Sequence, residues 1–146
     1  MKLDALTMDR TRAMDNTALR QLVAELLGYR IYEGTGRYGS YVFCRPWLAE
    51  FDAEQLAKFW ASVRAYATPE EAMVSQDVPD WPDSLDDAVT LVSGKYMELQ
   101  SSGIDWAARV GYWLGGDGWQ QAETPARAVT LAWIAQQLEI RKVGAP

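Results

Sequence analysis

The residues best suited to chemistry in this sequence are two arginines that lie close to tryptophans. Arg45 precedes Trp47, and Arg109 lies between Trp106 and Trp113. A guanidinium pairs with phosphate and stacks on flat rings, and an indole offers a face on which a base can stack. We therefore name these ligand-binding candidates: Arg45, Trp47, Trp81, Arg109 and Trp113. The alternative is that the arginines pair with acidic side chains on a sheet surface while the tryptophans fill the core.

The densest group of carboxylates is formed by Asp83, Asp86 and Asp87. Carboxylate oxygens are suitable ligands for Mg²⁺, so a hydrolase that uses this ion is one interpretation. The start of a helix also favours negative charge, because its backbone N–H groups are unpaired there. We favour the interpretation that these aspartates stabilise the start of a helix, and we predict no metal site. Asp77 and Asp80 are interpreted as loop charges.

Histidine is absent from the sequence, and Cys44 is the single cysteine. These facts exclude Ser-His-Asp and Cys-His catalysis, His-bearing zinc sites and an internal disulfide. A lone thiol without histidine would need a cation or a helix N-terminus for activation, so Cys44 is interpreted as a buried strand residue. We expect no catalytic residue, no cofactor and no enzymatic activity.

The charge of the chain is unevenly distributed. The net charge is −6, and residues 41–100 hold four basic and eleven acidic groups. Such a balance disfavours direct nucleic-acid binding, which needs cations to neutralise phosphates. The acidic middle is either a solvated face or a docking surface for a basic partner. The seven tryptophans and seven tyrosines exceed what a core of this size needs, so exposed rings would also support a homodimer.

Spacing and capping signals predict the elements in the order α-β-β-α-α-β-β-α. The first helix starts at Asp15-Asn16 and ends at Gly28; a hairpin pairs residues 29–32 with 40–44 through a long loop at 33–39. The next helix covers residues 53–67, with Asp52 as its cap and Thr68-Pro69 as its stop. An irregular acidic connection follows at 69–83.

The second half of the chain starts with a helix from Ser84 to Gln100 that contains Gly94. A strand over residues 104–114 and a short partner at 119–122 follow. The last helix has Thr124 as its cap, Pro125 at its first position and its end near residue 142. We therefore expect an α+β (α/β) fold with a small, mostly antiparallel sheet. Residues 1–14 are expected to be a loose lead-in, 15–142 a single domain and 143–146 a tail.

Three stretches of the sequence resemble the phage ABA-sandwich domain, a family of small proteins of bacteriophages and prophages. They are Leu22–Tyr29 at the end of the first helix, Trp81–Ala88 at the entry to the middle helix and Ala122–Val129 at the start of the last helix. The resemblance implies a phage-related origin and an α/β/α sandwich. It transfers no active-site residue, because the family has no settled activity. The helix over 53–67 departs from the family pattern.

Function is expected to be non-enzymatic. Our first hypothesis is a phage accessory protein that binds a host protein, motivated by the acidic middle and the aromatic surplus. The alternative is a binder that sequesters a small nucleotide signal of host defence, motivated by the arginine–tryptophan pairs. A Mg²⁺-dependent hydrolase is the distant third. The sequence shows neither a signal-peptide pattern nor an apolar run long enough for a membrane span, so we expect the host cytoplasm and no membrane partner.

Overall fold

The computed structural model describes residues 6–44, 48, 50–75, 78–111 and 118–144. The helices are α1 (Met8–Arg12), α2 (Asn16–Leu26), α3 (Ala53–Ser62), α4 (Pro69–Ser75), α5 (Leu85–Leu91) and α6 (Pro125–Gly144). The strands are β1 (Arg30–Gly36), β2 (Gly39–Cys44), β3 (Met97–Ser101), β4 (Trp106–Val110) and β5 (Gln120–Ala122). None of these helices is long and apolar enough to cross a bilayer, as far as the chain is described.

The predicted α+β class is confirmed, and every predicted element is present in the predicted order. The structure adds α1, α4 and β3 to that order. Its strands form two antiparallel sheets, β1-β2 and β3-β4-β5. The helix α1 lies in the stretch expected to be a loose lead-in, where Thr7 accepts a hydrogen bond from the Arg10 backbone N–H and so caps it.

The chain packs as two compact units. Unit 1 comprises Met1–Val23 with Pro79–Pro146, and unit 2 comprises Ala24–Val78. Each unit has one of the two sheets and helices of its own. The single domain over residues 15–142 stays a prediction, because compact packing alone does not show whether either unit folds independently.

In unit 1, α6 packs on β4 and β5, and α5 packs on α6. The middle of α6 is buried on several sides, and its most deeply buried side chains include Val129, Leu131 and Ile134. The Thr124 hydroxyl oxygen accepts a hydrogen bond from the Arg127 backbone N–H, so the predicted cap of α6 is confirmed. Burial of this helix against the sheet contributes a large part of the apolar core of the unit.

In unit 2, α3 packs on β1 and α4 packs on β2. A hydrophobic cluster of Val42, Leu48 and Ala65 forms its centre, with partly buried aromatic and aliphatic side chains around it: Tyr32, Phe51, Leu56, Phe59, Trp60 and Val63. Asp52 and Gln55 form a reciprocal capping box at the start of α3, which confirms Asp52 as the cap.

The helix predicted from Ser84 to Gln100 is much shorter in the structure. Ser84 caps it as predicted, but α5 ends at Leu91. Gly94 has φ +77°, a left-handed conformation that no helix interior contains. The apolar side chains that followed the helical period, such as Leu99, belong instead to β3, which pairs along its whole length with β4. Pairing with β4, the next strand along the chain, here overrides the helical periodicity.

The helix predicted over residues 53–67 also ends early, at Ser62, because residues 63–66 pair with the first hairpin. Thr68 and Pro69 start a helix rather than stop one, and the Thr68 hydroxyl accepts a hydrogen bond from the Glu71 backbone N–H. The strand predicted over 104–114 starts at Trp106, and its last part, residues 112–114, lies outside the described residues.

The predicted long loop at 33–39 is a continuation of the hairpin. β1 runs to Gly36, and Gly36 pairs directly with Gly39 across a turn formed by Arg37 and Tyr38. Glycine is required because neighbours press on the strand. A Cβ on Gly34 would lie 2.6 Å from the Trp60 ring, and one on Gly36 would lie 2.7 Å from the Ala65 Cβ.

Gly39 has the closest neighbour, since an added Cβ would collide with the carbonyl group of Tyr66. We expect Gly39→Ala to lower the free energy of unfolding by about 1–3 kcal/mol, because backbone cannot move aside as a flexible side chain can. Chemical denaturation followed by circular dichroism measures the effect. Ser40→Ala, at an exposed neighbouring position, is the matched control. Equal stability of the two variants would contradict this interpretation.

Candidate functional site

The five ligand-binding candidates predicted from the sequence differ in where the structure places them. Arg45, Trp47 and Trp113 lie outside the described residues. Trp81 is 3% exposed, so its ring is part of the core and is not presented to a ligand at the surface. Arg109 lies on β4, where its backbone neighbours Ala108 and Val110 are buried and Arg109 itself, on the other face of the strand, is partly exposed.

Arg109 is held by an ion pair. Its Nη2 donates a hydrogen bond of 2.7 Å to Oε1 of Glu98, the residue directly opposite on β3. The Tyr96 hydroxyl donates to the same oxygen at 2.6 Å. The Arg109 Cζ lies 4.9 Å from the centre of the Trp119 ring. This arrangement matches the alternative in which the arginine pairs with an acid on the sheet surface.

The hydrogen bond from Tyr96, followed by that from Arg109, holds the pKa of the Glu98 carboxyl below its usual range. Arg109 therefore faces a carboxylate that stays charged, and its charge is already compensated. Its buried Nε has no hydrogen-bond partner among the described residues. Because Glu98 already balances the charge of Arg109, this sheet surface is better explained by stability than by binding.

Unit 2 contains a second group that sequence reasoning missed, which we call the arginine–tyrosine cluster: Arg37, Tyr38, Arg64 and Tyr66. The Arg37 Cζ lies 5.5 Å from the centre of the Tyr38 ring. The Arg64 Cζ lies 5.9 Å from the same ring and 5.7 Å from the ring of Tyr66. Tyr38 thus contacts two guanidinium groups, and Arg64 contacts two phenol rings.

Backbone pairing brings the members of the cluster together. The Arg37 N–H donates to the Val63 carbonyl at 3.3 Å, and the Ala65 N–H donates to the Arg37 carbonyl at 2.9 Å. Tyr66 and Tyr41 also pair, with the Tyr66 N–H donating to the Tyr41 carbonyl at 2.8 Å. Residues 63–66 therefore run along the hairpin, and this fixes Arg64 and Tyr66 beside its turn.

Tyr38 is in an unfavourable backbone conformation. Its φ is +69°, and no other described residue except glycine has a positive φ. Its side chain is 77% exposed, so little buried area compensates for the strain. A non-glycine residue in this region costs roughly 1–2 kcal/mol. Strain of this kind is commonly found where the side chain serves a function, because the strained residue persists despite its cost.

The two guanidinium groups of the cluster form no ion pair with a described residue. Within the described part of the chain, ion pairs join Arg12 to Asp9, Lys58 to Glu54 and Arg109 to Glu98, but none involves Arg37 or Arg64. Both of these arginines are exposed. A guanidinium carries five N–H donors and tyrosine rings accept none of them in ordinary hydrogen bonds, so these exposed arginines are suited to an anion.

A cavity of about 600 Å³ lies beside the cluster in unit 2. Its lining combines one cation, two carboxylates, a phenol ring and an aliphatic side chain: Arg64, Tyr66, Glu70, Glu71 and Val74. Val74 is 58% exposed, which is high for an aliphatic residue. The cavity and the cluster share Arg64 and Tyr66, so they form one continuous candidate site.

The aspartates near Ser84 are explained by local hydrogen bonds. Asp83 accepts from the Asn16 side chain at 2.6 Å, and Asp87 accepts from the Asp80 backbone N–H at 3.0 Å. Burial, then the negative charge of Asp83, raises the pKa of Asp80. Among the described residues, no three acidic, cysteine or histidine side chains are placed to hold a metal ion.

The chain matches no family model, no curated protein and no solved structure. The candidate site therefore rests on its own geometry.

The ion pair on the sheet predicts a pH dependence. Because the pKa of Glu98 is lowered on folding, its contribution to stability is present above the ordinary pKa of a glutamate and is lost as the pH falls toward the lowered value. We expect Glu98→Gln to remove part of the loss of stability in that acidic window. Thermal unfolding at a series of pH values measures it, with Glu139→Gln, an exposed position on α6, as control. If the parent and both variants lost the same amount of thermal stability as the pH falls, Glu98 would not be the source of the pH dependence.

The strain at Tyr38 predicts an inverted preference between glycine and alanine. Both replacements remove the ring, but only glycine tolerates φ +69° without penalty. Tyr38→Gly should therefore be more stable than Tyr38→Ala by about 1 kcal/mol. At Thr35, an exposed position within β1, the same pair should show the ordinary order, with glycine the less stable. The same order at both positions would show that Tyr38 is unstrained in solution.

Proposed function

We propose that this chain is a non-enzymatic binding protein and that the arginine–tyrosine cluster is its binding surface. The observation that carries the proposal is the pair of exposed guanidinium groups that lie over the Tyr38 ring and form no ion pair with a described residue. Uncompensated cations around an exposed ring are suited to a partner that supplies negative charge. A strained residue at the centre of such a group supports binding further.

The carboxyl groups support binding rather than catalysis. The described residues with a shifted pKa are Asp80 and Glu98. Asp80 lies among neighbouring aspartates at the start of α5, and Glu98 is paired with Arg109. Neither lines the cavity of unit 2, so neither is a candidate for acid–base chemistry there.

The resemblance to the phage ABA-sandwich domain extends the proposal to a biological setting. A small phage protein that binds without catalysis would act on a component of the host cytoplasm, either a host protein or a small nucleotide used in defence. Direct binding to nucleic acid is disfavoured by the net charge of −6. A nucleotide supplies negative charge through its phosphate, and a host protein would have to present acidic side chains to Arg37 and Arg64.

The test compares what the purified protein retains from a bacterial lysate. We expect the parent chain to enrich a protein or a small molecule that the Arg37→Ala/Arg64→Ala variant does not enrich. Proteomics identifies a protein partner, and mass spectrometry after denaturation identifies a small molecule. A small molecule should be recovered chemically unchanged, because binding without turnover leaves its covalent structure intact.

The matched control is Lys58→Ala/Lys95→Ala, which removes the same charge at exposed positions outside the cluster. It should retain whatever the parent retains. Circular dichroism of all variants excludes loss of folding as the cause. Identical retention by the parent and the cluster variant would refute the binding surface, and recovery of a chemically altered ligand would refute the non-enzymatic assignment.

A further inference from the structure

We propose that the cavity of unit 2 is a nucleotide site: the phosphate group binds the arginines of the cluster, and the sugar and base lie in the cavity. The inference rests on the proposed function and deepens it by naming the class of ligand. Its basis is the chemical variety of the lining, in which a cation, carboxylates and an aromatic ring face one space.

The phosphate end is formed by Arg37 and Arg64. The Cζ of Arg37 lies 5.5 Å from the centre of the Tyr38 ring, and the Cζ of Arg64 lies 5.7 Å from that of Tyr66. Cation–π contacts of this kind restrict where the guanidinium groups can lie, and both arginines are exposed. Planar guanidinium edges match the oxygens of a phosphate in a bidentate manner, which an ammonium group cannot do.

The base end is formed by Tyr66 and Val74. Both residues line the cavity, and Val74 is 58% exposed. A base has an aromatic face that stacks on a phenol ring and covers an aliphatic neighbour. Covering Val74 would remove apolar surface from water, which favours a planar apolar group over a second phosphate at this end.

In this proposal, Glu70 and Glu71 determine the orientation of the nucleotide in the cavity. Their carboxylates line the same cavity as Arg64. A carboxylate accepts hydrogen bonds from ribose hydroxyls, as in dinucleotide-binding folds, and repels phosphate. The phosphate is therefore directed away from the glutamates and toward the arginines. A ligand that carries hydroxyl groups next to one anionic group satisfies both ends at once.

The size of the cavity agrees with a small ligand. The cavity is open to solvent, and its volume of about 600 Å³ is large enough to admit a ligand of the size that small-molecule sites typically hold. A nucleic-acid chain would bring a phosphate to every nucleotide, including those near the glutamates. The same lining thus favours a single nucleotide over a polymer.

Isothermal titration calorimetry with the full chain tests the proposal. The probes are AMP, GMP, CMP and UMP with their 2′-deoxy forms and their nucleosides, the 3′,5′-cyclic forms of AMP and GMP, and inorganic phosphate. We expect saturable binding of at least one nucleotide, at least tenfold weaker binding of the matching nucleoside, and at least tenfold weaker binding of phosphate. Arg64→Ala and Arg64→Lys should each weaken nucleotide binding tenfold or more, since lysine lacks the planar fork.

Glu70→Gln/Glu71→Gln should reduce the preference for a ribonucleotide over its deoxy form to less than twofold. Lys58→Ala is the matched control and should bind like the parent, because Lys58 lies on α3 and is paired with Glu54. Circular dichroism of each variant shows whether it is folded. Tyr38→Gly, in which the strain is removed, provides a second variant of the cluster should Arg64→Ala fail to fold.

Three results would overturn the inference. Phosphate binding as tight as nucleotide binding would show a general anion site. Nucleotide binding that is unchanged in the Arg64 variants and in Tyr38→Gly would place the ligand elsewhere. The third result is that no nucleotide binds, although the protein still retains a partner from lysate through Arg37 and Arg64. This result would refute the nucleotide site and leave the proposed function intact.

Discussion

The pairing of residues 63–66 with the first hairpin is the interaction on which unit 2 depends. It joins a segment that follows α3 to both strands, through hydrogen bonds from Arg37 to Val63 and between Tyr41 and Tyr66. Close approach of the two segments is possible because Gly36 and Gly39 have no side chain. The glycines in the stretch after Tyr32 therefore serve the close packing of the hairpin.

That pairing has an electrostatic consequence. It places Arg64 next to the turn that contains Arg37, so two cations meet at one exposed tyrosine. Like charges at close range repel, and the backbone of Tyr38 is strained as well. Stacking on phenol rings offsets part of this cost, about 0.5–1 kcal/mol for each exposed contact. An anionic ligand would offset the rest, which is why we place function here and not at Arg109, whose charge Glu98 already balances.

Local signals were sufficient to predict most of the fold. The caps at Asp52, Ser84 and Thr124 act within three residues, so the sequence alone indicates them. β3 was missed because its own composition suits a helix, although its partner β4 follows closely. The segment 63–66 was missed because its partner, the first hairpin, is distant along the chain. The site was missed for the same reason: Arg37-Tyr38 and Arg64-x-Tyr66 are visible as pairs, but only long-range pairing makes them one cluster.

Nuclear magnetic resonance of the arginine side chains tests the central claim most directly. Each arginine Nε–H gives its own signal, so a titration with a nucleotide reports which guanidinium groups meet the phosphate. Our account predicts that the signals of Arg37 and Arg64 shift together and saturate, while that of Arg109 stays in place. Shifts confined to Arg109, or spread evenly over all exposed arginines, would contradict it.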